Sequence, residues 1–137
     1  LNLKDYWNEG PKTYLGLQIP GFPNMFTITG PGSPSVLTNM PTVIEQHVEW
    51  VTDCISYMME NNFNKVSTSE KNSLEWGNQV KEAADKTLLP TVKHSWYLGA
   101  NIPNKPRVFM PYAGGLPTYT KICENVKNNN YEGFAFS

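Results

Sequence analysis

The sequence predicts an α/β fold with three main helices and a few short strands. A β-branched run at residues 25–29 ends in the Gly/Pro turn 30–34, and a long helix follows from near Asn39. A strand, a Gly/Pro turn and a helix in this order form half of a nucleotide-binding unit. Residues 13–44 contain no Asp, Glu, Lys or Arg, so we expect this stretch to face something neutral and buried.

The first third of the chain contains short extended pieces and turns. Residues 14–15 are a short strand candidate closed by Gly16, and residues 20–24 are a predicted turn. Residues 25–29 are predicted to be a strand with both faces covered, because only two threonines interrupt the apolar residues on its two sides. Such a strand needs partner strands and two covering layers, which the other short strands do not supply. We therefore expect a piece of a larger α/β protein.

The first long helix is predicted to begin near Asn39 and to end at residues 61–62. Asn is a good N-cap, and Pro41 is tolerated in the first turn because its missing N–H has no helical partner there. Apolar residues recur at three- and four-residue steps, which predicts one buried face. That face consists of Ile44, Val48, Val51, Ile55 and Met58.

Two further helices and three short strands complete the predicted elements. A strand at residues 65–67 precedes a helix that Thr68 or Ser69 caps and that runs to about Leu88, where Pro90 prevents its continuation. The apolar stripe predicted for this helix is Leu74, Val80, Ala83, Ala84 and Leu88. After a loop, the sequence predicts a strand at 107–110, a Gly114-Gly115 turn, a helix at 117–128 and a closing strand at 131–136.

Composition and cysteine spacing exclude several classes of function. The formal net charge is −1, so nothing indicates a nucleic-acid or anionic-membrane footprint. No apolar run is long enough for a membrane-spanning helix. Cys54 and Cys123 lie far apart and fit no metal or redox spacing, which predicts two reduced thiols in a cytoplasmic protein with no metal site.

The turn 30–34 has two interpretations. It is either loop punctuation or a backbone that approaches a flat ligand, with the helix from Asn39 directing its N-terminal amides at electron-rich ligand atoms. That second geometry suits the pyrimidine end of a flavin. The Gly-x-Gly-x-x-Gly turn of a complete dinucleotide-binding unit is absent from the sequence.

Polar residues on the first long helix favour structural roles. His47 and Trp50 lie one helical turn apart, and no nucleophile or orienting group pairs with His47, so we expect packing. Glu45 and Glu49 are four residues apart, which is typical of a solvated helix face as well as of an acid/base pair. We expect the solvated face.

An aromatic pair marks the loop at residues 95–101. Trp96 and Tyr97, beside Gly, Ala and Asn, either close over a ligand or anchor the loop through hydrophobic contacts. Lys105 and Arg107 follow this loop. They are either surface charges or a pair that binds a phosphate, and we expect surface charges.

A series of motifs covers nearly the whole chain in a characteristic order. They are Tyr14-Leu15-Gly16, Gly21-Phe22-Pro23-Asn24, Gly30-Pro31-Gly32-Ser33-Pro34-Ser35, Asn39-Met40, Ile44-Glu45-Gln46-His47-Val48-Glu49-Trp50, Ser95-Trp96-Tyr97, Gly99-Ala100-Asn101, Gly114-Gly115 and Tyr131-Glu132-Gly133-Phe134. In order and spacing they resemble the C-terminal part of type I Baeyer–Villiger monooxygenases.

This resemblance implies a fragment of a Rossmann-like flavoprotein with two dinucleotide-binding domains. Such enzymes use FAD and NADPH to insert one oxygen atom of O2 next to a ketone carbonyl, giving an ester or lactone. The implied partners are a small ketone, O2 and the remainder of the chain's own polypeptide. Residues 1–62 would belong to the FAD-binding domain, and residues 63–137 would form a C-terminal segment with a cofactor-covering loop and a closing helix and strand.

The resemblance also assigns binding residues by position. The residues implied to contact cofactor are Gly30, Pro31, Asn39 and Met40 along the flavin and Trp96 at the ribose of NADP. The residues implied to line the ketone pocket are Ser35, Val36, Leu37, Met110 and Pro111. No catalytic residue is implied, because the family's upstream signature and active-site arginine are absent, and the fragment alone should be inactive. Another flavin monooxygenase that oxidises nitrogen or sulfur, and a non-enzymatic interaction module, are the alternatives.

Overall fold

The computed structural model describes residues 1–35, 38–92 and 94–137. Its helices are α1 (Leu3–Tyr6), α2 (Met40–Glu60), α3 (Glu70–Asp85) and α4 (Leu116–Asn128), with single 3-10 turns at Leu89–Thr91 and Trp96–Leu98. Strands β1 (Val66–Thr68) and β2 (Phe134–Phe136) form an antiparallel pair. The predicted α/β class with three main helices and short strands is confirmed. Among the described residues, no helix has both the length and the apolar character needed to cross a bilayer.

The starts of the long helices follow the predicted capping residues. Ser69 caps α3, since its hydroxyl oxygen accepts a hydrogen bond from the N–H of Asn72 at 3.2 Å. Asn39 occupies the N-cap position of α2 and Pro41 lies in the first turn, but the Asn39 side chain makes no capping hydrogen bond. Helix α3 ends at Asp85, three residues before the predicted end.

The core lies between α2, α3, α4 and the β1–β2 pair and is rich in aromatic rings. The Trp50 ring is centred 5.2 Å from that of Tyr131 and 5.4 Å from that of Phe134. Its indole N–H donates to the carbonyl oxygen of Cys123 at 2.9 Å, which joins α2 to α4. Core residues come from both sides of residue 62. The division of the chain at that residue stays a prediction.

The predicted buried face of α2 is wrong at three of its five positions, whereas Val51 and Met58 are half-buried, Val51 against the core. Ile44, Val48 and Ile55 are 40%, 48% and 45% exposed. The residues of α2 that are buried are Val43, His47, Trp50 and Cys54. The helix is apolar on two sides, and periodicity alone selected the side that does not face this chain's own core. The exposed side is a stripe that we call the outer stripe of α2: Met40, Ile44, Val48, Ile55 and Met59.

Two predicted strands are absent from the structure. Residues 25–29 make a single bridge, between Phe26 and Gln18. Asn24 and Thr29 at the two ends adopt φ values of 60° and 53°, in the left-handed region, which bends the chain away from a continuous strand. Residues 107–110 are extended but pair with loops and turns instead of a strand.

The stripe predicted on α3 is only partly correct, whereas α4 matches its prediction. Val80 and Ala84 are buried, but Leu74 and Leu88 are exposed, and Trp76 is the large buried residue of α3. On α4 the inward positions are Tyr119, Cys123 and Val126, as expected from their spacing, with Ile122 half-buried against the core. The closing strand is shorter than predicted, since β2 begins at Phe134.

Replacing Gly77 with Ala is expected to stabilise the chain by up to about 1 kcal/mol. Gly77 is exposed within α3, and a Cβ built there has no heavy atom within 4 Å. The free energy of unfolding, from urea denaturation of the chain, measures the effect. The matched control is Gly133→Ala, which should destabilise instead, because Gly133 has φ +89° and its Cβ would lie 2.6 Å from the Tyr14 ring. A Gly77→Ala variant that is less stable than the original chain would contradict this expectation.

Candidate functional site

The Gly/Pro turn is fixed by hydrogen bonds from two other parts of the chain. The N–H of Gly32 donates to the carbonyl oxygen of Met110 at 2.7 Å, and the N–H of Tyr112 donates to that of Ser33 at 2.9 Å. The Thr13 hydroxyl donates to the carbonyl oxygen of Pro31 at 2.7 Å. These hydrogen bonds give the turn a defined conformation, while its role beside a ligand stays a prediction.

Gly32 is required at its position by conformation and by space. Its φ is +88°, and a Cβ there would lie 2.8 Å from the indole nitrogen of Trp76. That indole N–H donates to the Gly32 carbonyl oxygen at 3.1 Å. The backbone at Gly32 thus lies directly on the buried Trp76 of α3, and the opposite side of the turn is left to face outward.

The extended segment at residues 107–112 joins the turn to the Trp96 loop. On one side Met110 receives the N–H of Gly32; on the other its own N–H donates to the carbonyl oxygen of Tyr97 at 2.9 Å. The N–H of Val108 donates to the carbonyl oxygen of Leu98 at 3.2 Å. Pro31 and Met110 also line one cleft of about 370 Å³, whose other wall is α3. The structure thereby brings three predicted site segments together.

The loop at residues 95–101 presents Trp96 outward. Ser95 caps the 3-10 turn by accepting the N–H of Tyr97 at 3.2 Å, and Gly99 ends it in the left-handed conformation. The Trp96 ring packs edge-on against Tyr97, with 4.3 Å between ring centres, yet its side chain remains 56% exposed. A large aromatic ring that is fixed in place and exposed is suited to covering a ligand.

The start of α2 leaves backbone donors available. An α-helix has no intrahelical acceptor for its first four N–H groups, and the side chain of Asn39 does not accept one. No acidic residue lies in the first turn to compensate the positive end of the helix dipole. Asn39 and Met40 are both exposed. This end of α2 can therefore donate hydrogen bonds to an electron-rich edge of a ligand.

The predicted site residues differ in how much of each is exposed to solvent. Gly30, Pro31, Ser35 and Met110 are half-buried, and Pro111 is buried. Asn39, Met40 and Trp96 are exposed. The two remaining ketone-pocket predictions, Val36 and Leu37, lie outside the described residues.

The polar residues of α2 and the two cysteines occupy positions that fit structural roles. His47 and Trp50 are buried and hydrogen-bonded within the core, as expected for packing residues. Glu45 and Glu49 are exposed on α2. Burial raises the pKa of the Cys54 and Cys123 thiols to about 12, so both are protonated and unreactive at neutral pH.

Lys105 and Arg107 hydrogen-bond to loop backbone. The Arg107 guanidinium donates to the carbonyl oxygen of Gly99 at 2.9 Å, which ties the Trp96 loop to the extended segment. The Lys105 ammonium donates to the carbonyl oxygens of Trp7 and Asn8, at 3.1 and 3.3 Å. Both cations therefore hold backbone in place.

One feature of the site could not be found from the sequence. The N–H of Thr29, immediately before the turn, donates to Nδ1 of His47 at 2.9 Å. The other ring nitrogen, Nε2, lies 2.8 Å from the hydroxyl of Tyr119. Residues 29, 47 and 119 are distant in sequence and form no local motif, so only the folded chain reveals this connection.

Comparison with known proteins gives strong matches over nearly the whole chain. It is 42% identical over 134 residues to cyclohexanone 1,2-monooxygenase of Acinetobacter sp., covering 98% of this chain and 24% of that protein. It is 39% identical to a Baeyer–Villiger monooxygenase of Pseudooceanicola batsensis, covering 96% and 24%. It is also 36% identical to phenazine N-monooxygenase of Lysobacter antibioticus, again covering 96% and 24%. No protein-family model matches.

Solved structures show the same similarity in three dimensions. Oxidised steroid monooxygenase bound to NADP matches with a TM-score of 0.89 and 43% identity, covering 98% of this chain and 24% of that one. The OTEMO complex with FAD and NADP matches with a TM-score of 0.90 and 36% identity, covering 100% and 25%. The chain spans about a quarter of the length of the relatives that it matches. In sequence and in fold, the chain is similar to one segment of these monooxygenases, several of which are of the Baeyer–Villiger type.

Proposed function

We propose that this chain is the C-terminal segment of an FAD- and NADPH-dependent Baeyer–Villiger monooxygenase and forms one wall of its active site. The parent protein inserts one oxygen atom of O2 next to the carbonyl of an aromatic or cyclic ketone. The observation that supports this best is the hydrogen-bonded unit of turn, extended segment and Trp96 loop, in a chain that aligns with monooxygenases from end to end. From the sequences of residues 30–35 and 105–110, we further predict that this segment is similar to that of phenylacetone monooxygenase.

The turn and the start of α2 fit the edge of a flavin. Gly30 and Pro31 are half-buried and Pro31 has no N–H, so this part of the turn offers an uncharged surface to a ring system. The N-terminal amides of α2, at Asn39 and Met40, lack a side-chain cap and are proposed to donate to the electron-rich pyrimidine edge. FAD, when bound, supplies the oxygen-activating chemistry, while these residues orient its ring.

The pocket for the ketone is proposed beside the turn. Ser35 follows the turn directly, and Met110 and Pro111 come from the extended segment. Val36 and Leu37, the next residues in the sequence, are also proposed to line it. Met110 is half-buried, and its unbranched side chain adapts to irregular apolar ligands. The contribution of these side chains is to position the ketone and exclude water.

The proposed partner of the outer stripe of α2 is the remainder of the parent polypeptide. The outer stripe is an exposed apolar surface on α2, and such a surface is stabilised when another part of a protein covers it. Residues 1–62 would then complete an FAD-binding domain, and residues 63–137 would cover the cofactors. The two free buried thiols are consistent with a cytoplasmic location, which stays a prediction. If the chain alone is monomeric and binds no hydrophobic dye, this would count against the missing partner.

Trp96→Ala in the full-length protein is expected to reduce the coupling of NADPH consumption to product formation. If the indole bonds the ribose of NADP, its loss removes about 1 kcal/mol, or about fivefold in coupling. Ester formed per NADPH consumed measures the effect. Ile102→Ala is the matched control, because Ile102 is also exposed on the following turn. Unchanged coupling in Trp96→Ala would exclude the covering role.

The function itself is tested with the full-length protein that carries this segment. The expected results are the absorbance of a bound flavin, ketone-dependent NADPH consumption, and an ester or lactone as product. Absence of flavin, and of NADPH consumption with every ketone offered, would refute the proposal. Nitrogen oxidation is a second candidate, favoured by the relative that is a phenazine N-monooxygenase. Product analysis with a ketone and with a phenazine in parallel separates the two.

A further inference from the structure

A strained residue stands immediately before the turn that is proposed to face the flavin. Thr29 has φ 53°, in the left-handed region that β-branched residues rarely adopt. Such a conformation is unfavourable and persists only where surrounding contacts enforce it. The contact found here is the hydrogen bond from the Thr29 N–H to Nδ1 of His47, at 2.9 Å.

The hydrogen bonds of His47 assign its protonation. Nδ1 accepts from an N–H and so carries no proton, which places the proton of the neutral ring on Nε2. The Tyr119 hydroxyl donates its single proton to the carbonyl oxygen of Leu15 at 2.6 Å. It therefore accepts from Nε2–H of His47, 2.8 Å away. Each donor in this relay of hydrogen bonds has one acceptor, and donation runs in one direction, from the Thr29 N–H through His47 and Tyr119 to the Leu15 carbonyl oxygen.

Burial makes this relay difficult to replace. His47 and Tyr119 are both 0% exposed, so water cannot take over either contact while the fold is closed. A buried N–H or ring nitrogen left without a partner is unfavourable. The orientation of the His47 ring, and through it the position of the Thr29 amide, is thus set from α4.

The remainder of the turn is fixed independently of His47. A Cβ on Gly30 would lie 2.5 Å from the Thr27 hydroxyl and 2.7 Å from the Gly16 carbonyl oxygen, so the turn rests directly on backbone. The Ser33 hydroxyl donates to the Gly30 carbonyl oxygen at 2.6 Å. These contacts do not fix Thr29, the residue before the turn, whose N–H is held by His47.

His47 lies on α2, the helix whose N-terminus is proposed to donate to the flavin. The His47 side chain therefore connects the turn at residues 30–34 to α2. It binds the turn through the Thr29 N–H, and its own backbone belongs to α2. Resting on the proposed function, we infer that His47, oriented by Tyr119, is a positioning residue that sets the turn at Gly30 relative to the start of α2 and so fixes the flavin-binding edge.

The test compares variants of the full-length flavoprotein. His47→Gln keeps an acceptor for Thr29 and a donor for Tyr119, whereas His47→Leu keeps neither. Tyr119→Phe removes the orienting hydroxyl alone. The matched control is Trp50→Phe, which removes a different buried hydrogen bond of α2, to Cys123, that does not lead to the turn. The measurements are the rate of FAD release, followed by flavin fluorescence, and the thermal midpoint of each variant.

We expect FAD release to become about tenfold faster in His47→Leu and to stay within about threefold of the original in His47→Gln and Trp50→Phe. Tyr119→Phe should lie between. If His47→Leu and His47→Gln release FAD equally fast, or if Trp50→Phe is as fast as His47→Leu at equal thermal stability, His47 is only a core residue and the inference is wrong. A full-length protein that retains no FAD before any substitution refutes the proposed function, and the inference with it.

Discussion

Trp50→Ala is expected to remove about 3–5 kcal/mol from the free energy of unfolding of this chain. Trp50 is 2% exposed and packs against Tyr131 and Phe134. Truncation leaves a large cavity and deprives the Cys123 carbonyl oxygen of its donor. A domain of this size is stable by only about 5–15 kcal/mol, so urea denaturation should show a large shift of the midpoint.

Two controls separate packing from residue type. Trp96→Ala removes the same side chain from an exposed position and should change stability by less than about 0.5 kcal/mol. Trp50→Phe keeps an aromatic ring but loses the indole donor, and should cost about 1–3 kcal/mol. Equal effects of Trp50→Ala and Trp96→Ala would mean that the core does not lie between α2, α3, α4 and the strand pair.

Acid is expected to destabilise the chain through His47. Burial lowers the pKa of His47 from 6.5 to about 4 in the folded chain. Between these values the unfolded chain binds more protons, so stability is complete above pH 6.5 and falls as the pH is lowered towards 4. The loss reaches about 3 kcal/mol at 1.36 kcal/mol per pKa unit. Physically, a proton on Nδ1 would meet the N–H of Thr29, a donor facing a donor.

The control for this pH dependence is His47→Gln, which preserves both hydrogen bonds and does not titrate. Free energies of unfolding at pH 7.0, 6.0, 5.0 and 4.5 are compared between the two chains at about the same ionic strength, which keeps charge screening constant. The difference between them should grow as the pH falls, since carboxylate effects are common to both. A constant difference would show that His47 keeps its ordinary pKa.

The helices were predictable because their ends depend on local chemistry. Ser69 and Asn39 mark N-termini, and α4 begins directly after the Gly114-Gly115 turn, as expected. These signals act over a few residues and survive whatever the rest of the chain does. Helix α1 was missed, because its four residues are too few for periodicity to detect.

What failed depended on contacts distant in sequence. Residues 25–29 have strand-forming side chains, yet the hydrogen bond from Thr29 to His47 and the left-handed turns at their ends prevent a ladder. On α2, periodicity found an apolar stripe but could not decide which apolar side faces this chain. The choice is made by Trp50 and the aromatic rings of the closing strand, which the local pattern does not contain.

The candidate site was predictable in its segments and not in their connection. The glycines and prolines around Gly32 predicted a turn, and Trp96 was expected on a loop, either over a ligand or as a hydrophobic anchor. The role of Met110 as the link between turn and loop comes from backbone hydrogen bonds, which no side-chain pattern encodes. The relay through His47 and Tyr119 is invisible for the same reason.

The outer stripe of α2 has opposite effects in the isolated segment and in a protein that covers it. Replacing Ile44 or Val48 with a charged residue would suppress self-association of the isolated segment, since both positions are exposed in it. In a protein where that side is covered, the same charge would be desolvated without a partner and would weaken assembly. Variants selected for good behaviour of the fragment alone will therefore tend to be poor partners for the polypeptide that completes it.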